Sequence, residues 1–126
     1  MNFDFIDEKL KQKQREQDKL AAQWEMQYQN AMRISAFFPH FIAENKEEFR
    51  KRKINCYLSG DRPYYQLTMG FIDFSITISI VCIGEGFGLI AEKSVRRLHN
   101  HTQTISSAFT YEDFEIYLEQ LLKENL

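Results

Sequence analysis

Residues 74–82, Phe-Ser-Ile-Thr-Ile-Ser-Ile-Val-Cys, alternate apolar and small polar side chains almost without a break. Successive strand side chains point to opposite faces, so the run describes a β-strand with Ile76, Ile78 and Ile80 on a dry face and Ser75, Thr77 and Ser79 on a wet one. A sheet with one wet face is of the antiparallel kind. The rest of the chain is read around this anchor.

Residues 7–35 lack Gly and Pro and are rich in Glu, Gln, Lys, Arg, Ala and Leu, which predicts a long helix. Between Glu8 and Lys19 only Leu10 is strongly apolar, whereas Leu20, Ala21, Trp24, Tyr28, Ala31 and Ile34 recur at steps of three and four. The second half is therefore expected to dock on a core, with Trp24 inside it, and residues 1–19 to form a projecting or frayed arm. A coiled-coil seam along that arm would require apolar residues at Lys13 or Gln14 and at Gln17, which are polar, so a solvated helix is the simpler expectation.

Pro39 ends or kinks the first helix near residues 36–38 and opens a second, to about Arg52. Past Lys53 the period changes from near 3.6 to 2. Ile54, Cys56 and Leu58 mark a short strand, and Tyr65, Leu67, Met69 and Phe71 a second, with the turn residues 59–63 between them. The apolar parity then changes, which predicts a turn or bulge at 70–73 before the third strand. Phe87, Leu89 and Ala91 give a fourth strand, and residues 102–109 are expected to supply a polar fifth, with a polar loop before it. Thr110 and the acids behind it cap a last helix that buries Phe114, Tyr117, Leu118 and Leu121. The fold expected is α+β in two layers: a long helix, a shorter helix, a four- to five-stranded antiparallel meander and a C-terminal helix, forming a single domain over residues 1–126.

At 15.0 kDa and 44% hydrophobic residues the chain holds ample material for one core without metals or disulfides. Cys56 and Cys82 occupy apolar strand positions and read as small buried hydrophobes rather than a disulfide pair. The sequence shows neither a signal-peptide pattern nor an apolar run of membrane-spanning length, which makes a cytoplasmic location the expectation.

Chemistry is harder to find. Gly84-Glu85-Gly86-Phe87-Gly88 has the glycines of a phosphate loop, but it lies between strands, no Lys follows, and Glu85 puts negative charge where an anion would sit. His99 and His101 lack a third ligand nearby, and neither cysteine has an activating neighbour, so no catalytic residue, metal or cofactor is implied. Charge is mildly polarised: residues 50–97 hold eight basic against four acidic side chains, and from Leu98 onward five acids face only Lys123.

Two surfaces remain as binding candidates. One is the hydroxyl face of Ser75, Thr77 and Ser79; the other is the basic cluster Lys93, Arg96, Arg97, His99 and His101. The first suggests a non-catalytic cytosolic factor of inhibitor, immunity or adaptor type, monomer or homodimer, that acts on another protein by surface complementarity. The second suggests a nucleic-acid-binding accessory protein, against which the acidic pI of about 5.9 weighs.

Overall fold

The computed structural model describes residues 2–84, 86–94 and 96–126, with the backbone alone for 96–104. Helix α1 (Asp4–Ser35) is followed after one residue by α2 (Phe37–Lys51). Strands β1 (Asn55–Ser59), β2 (Gln66–Gly70), β3 (Ser75–Ile83), β4 (Gly86–Lys93) and β5 (Arg96–Thr104) follow, and α3 (Tyr111–Asn125) closes the order. The five strands form one antiparallel meander in sequence order, which is the α+β arrangement the periodicities imply.

Strand β3 sets the two faces. Ile76, Ile78 and Ile80 are 2% exposed or less, while Ser75, Thr77 and Ser79 are half-buried on the other side. Register carries the inner face across the sheet: Leu67 opposes Ile78, which opposes Ala91, and Ile80 opposes Leu89. All three helices pack on that side, where Ala31, Ile34, Phe38, Phe41, Phe114, Leu118 and Leu121 share one core with the strand residues. The Phe38 and Phe114 rings stack with centroids 5.1 Å apart, fastening α2 to α3. The change of parity after β2 is a turn in which Phe71 N–H donates to Phe74 O at 2.8 Å.

The bend between α1 and α2 falls at Ala36, and Pro39 lies in the first turn of α2 rather than before it. Pro39 has no N–H for the carbonyl of Ser35 and its ring crowds that carbonyl, so the ladder breaks one turn upstream of the proline. Arg62, from the loop after β1, fills the break: its Nε donates to Ser35 Oγ at 2.8 Å and its Nη2 to Met32 O at 2.6 Å. Arg33 does the same for the loop before α3, donating to Phe109 O at 2.6 Å and Ser106 O at 3.1 Å. Thr110 and Asp113 form a reciprocal capping box that starts α3.

Three expectations are corrected. First, residues 96–104 are strand β5, where a polar loop was expected, and Ile105 and Phe109 lie beyond it. An edge strand can be polar throughout because its ladder is backbone, so the run Arg-Arg-Leu-His-Asn-His-Thr-Gln-Thr shows no period to read. Second, α1 leaves the core earlier than its apolar pattern implies. Leu20 and Ala21 are exposed, and Trp24 keeps 43% of its surface while its ring packs on buried Phe87 with centroids 5.2 Å apart. The sheet ends beneath the helix at the β3–β4 hairpin, where Gln27 lies against Gly86 and Trp24 against Phe87, and every described residue before Trp24 is exposed. Third, Cys82, next to the end of β3, is exposed and Cys56 only half-buried, both as free thiols.

Candidate interaction surface

With the helices on one side, the outer side of the sheet is a surface made by strands alone. Across its middle, Tyr57 on β1 opposes Thr68 on β2, Thr68 opposes Thr77 on β3, and Thr77 opposes Glu92 on β4. The Thr68 and Thr77 hydroxyls lie 3.2 Å apart and share one hydrogen bond, which leaves the accepting hydroxyl its own O–H to donate elsewhere. The neighbouring row runs Ser59, Gln66, Ser79, Ile90. Thr68 and Ile90 are each 8% exposed, whereas Tyr57 keeps 48% of its surface. Away from Glu92 on β4 the centre of the face is thus uncharged, with one hydrogen bond between its hydroxyls. Ser75 lies at the end of the face, where Ser94 N–H donates to Ser75 O at 2.9 Å and its own N–H bonds Ser94 Oγ at 3.3 Å.

The face turns a corner at β1. Tyr57 also borders a groove of about 460 Å³ between β1 and α2, with Pro39, Ile42, Cys56 and Leu58 on its walls. Burial there pushes the Cys56 thiol up to about 11, which keeps it protonated and unreactive at neutral pH.

Of the basic cluster, Lys93 is the member whose side chain is described. Lys93 lies on the inner register with Ile76, and its Nζ sits 4.3 Å from the centre of the Phe74 ring. Arg96 pairs with Lys93 and Arg97 with Glu92 along the backbone ladder. Register then jumps, with Ala91 opposite Leu98 and Leu89 opposite Gln103, so His99 and His101 fall in a stretch of β5 that bulges across from Ile90. The side chains of Arg96, Arg97, His99 and His101 lie outside the described residues, as does Glu85 of the glycine-rich hairpin. Three other cations of this region are engaged close to home: Arg50 with Glu47 at 2.7 Å, Arg52 with Glu48 at 2.6 Å, and Arg62 with the α1 terminus. Arg52, then Lys51, holds the Glu48 carboxyl below its ordinary value.

One polar cluster has no signature in the sequence, because it joins two helices far apart along the chain. Tyr111 Oη donates to Glu44 Oε2 at 2.6 Å, His40 Nε2 lies 3.4 Å from the same oxygen, and the His40 and Tyr111 rings meet edge to face at 4.4 Å. Burial, then the Glu44 carboxylate, raises the Tyr111 phenol, which therefore stays a donor. Glu44 and Tyr111 tie α2 to the first turn of α3 at the surface. Among the described residues no group of three His, Cys, Asp or Glu side chains gathers as metal ligands do, and no helix is long and apolar enough to cross a membrane.

Comparison of the chain with protein-family models, with curated proteins and with solved structures found no match.

Proposed function

We propose that this protein is a non-catalytic binding factor whose outer sheet face docks onto another protein, in the manner of an inhibitor, immunity or adaptor protein. The observation that carries the reading is the uncharged centre of that face, formed by Thr68, Thr77, Ser79 and Ile90 beside exposed Tyr57. Interface cores are depleted in charge and enriched in tyrosine, and their polar groups must be satisfied on burial. The Thr68–Thr77 pair meets the last condition in part, with one hydroxyl hydrogen left for a partner to accept. Gln66, Ser59 and Asn55, all exposed, supply a polar rim. A cytoplasmic site of action fits two free thiols, one of them exposed.

The test is affinity capture from native-host lysate, with the bound fraction read by mass spectrometry before and after nuclease treatment and across a salt titration. A protein partner retained after nuclease and at moderate salt is the expected result. Recovery of nucleic acid alone, lost steeply as salt rises, would replace this reading with phosphate binding by the cluster at 93–101.

A further inference from the structure

From Gln27 onward one line of α1 side chains faces the sheet, and Ala31 and Ile34 on it are fully buried. Traced back at alternating steps of four and three, the same line carries Trp24, Leu20, Gln17, Lys13, Leu10 and Ile6. There it covers nothing of the body except at Trp24, whose ring packs on Phe87 with centroids 5.2 Å apart. Every residue from 2 to 26 is exposed, with Ile6, Leu10, Leu20 and Trp24 at 37%, 59%, 54% and 43%. Alternating steps of three and four are the spacing by which two helices meet along a seam. A helical stretch this long gains little from propensity alone; most helical stability in proteins comes from packing an apolar face.

The polar members of the line select the partner and its direction. In a parallel, in-register pair Lys13 would face Lys13 of the second copy, ammonium against ammonium. In an antiparallel pair whose two-fold axis passes residue 15, Ile6 meets Trp24, Leu10 meets Leu20 and Lys13 meets Gln17, each layer occurring twice. Apolar layers then bracket a polar centre, and the Lys13 ammonium comes level with the Glu16 carboxylate of the other copy. A slip of one heptad in either direction sets Lys13 and Gln17 against Trp24 and Leu20, or against Leu10 and Ile6. We infer that the bare stripe of α1 is the seam of an antiparallel homodimer of this chain, with Lys13 and Gln17 fixing its register. Such a pairing is isologous and closes on itself. It uses a surface separate from the outer sheet face and stands whatever that face binds.

Light scattering of the purified full chain at micromolar concentration gives the mass of two chains, and Leu10→Asp with Leu20→Asp gives the mass of one while the near-ultraviolet dichroism of the body is kept. Direction is read by cross-linking in a Cys56→Ala, Cys82→Ser background. Chains with Leu10→Cys oxidise to a disulfide with chains carrying Leu20→Cys, and chains with Leu10→Cys alone do not, since those positions lie about 15 Å apart along the seam. A single-chain mass for the unaltered protein, a dimer indifferent to the double aspartate variant, or self-cross-linking of the Leu10→Cys chain would each overturn the inference.

Discussion

At the scale of single residues, the side chains that hold the fold are of two kinds, and only one is visible in the sequence. Apolar periodicity identifies Ile76, Ile78, Ile80, Phe114, Leu118 and Leu121, all 2% exposed or less. Phe114→Ala, which removes the ring stacked on Phe38, is expected to cost about 3–5 kcal/mol in urea unfolding. The second kind is the arginine that serves backbone carbonyls at a distance. Arg62 reads from sequence as one more turn cation, yet it bonds Ser35 and Met32, because Pro39 disrupts the end of α1. Arg62→Met should cost about 1.5–3 kcal/mol, the range for hydrogen bonds to a charged group, whereas Arg50→Met, on an exposed ion pair, should cost under about 1 kcal/mol. Cys56 supplies a pH test. Burial raises its thiol from 9.0 to about 11, so the folded chain keeps a proton that the unfolded chain releases first. Its contribution to stability is complete below pH 9 and is lost as pH climbs to about 11. The stability of Cys56→Ala, measured by denaturation across that window, should therefore fall less steeply with pH than that of the parent protein.

At the scale of elements, the helices and the inner strands were legible because each buries one face against something, and burial imposes a period. Strand β5 and the root of α1 were not, for opposite reasons. The β5 run 96–104 is held at an edge by its backbone, so its sequence carries no alternation. The α1 stripe keeps its period past the point where the sheet stops, so periodicity overstates how much of the helix the body covers. Loops followed their turn chemistry more closely. Gly60 has φ +83° and a Cβ there would lie 2.9 Å from Tyr64 O, a position open only to glycine. Gly60→Ala is expected to lower stability by more than about 1 kcal/mol, measured by thermal unfolding, through strain at that backbone position.

At the scale of the whole molecule, the candidate site was half legible. The hydroxyls of Ser75, Thr77 and Ser79 follow from strand parity alone. Their companions Tyr57, Thr68 and Ile90 come from three other strands, and only register brings them to one surface. A layered fold with its helices on one side leaves the opposite side of its sheet as a surface built on strands alone, and that asymmetry is the basis of the function proposed. The most direct test is quantitative capture from native-host lysate with the parent protein, with Ser79→Arg at the centre of the outer face, and with Ile116→Arg on exposed α3, all three verified as folded by circular dichroism. The account predicts a protein partner recovered equally by the parent and Ile116→Arg and lost with Ser79→Arg; equal recovery by all three would contradict it.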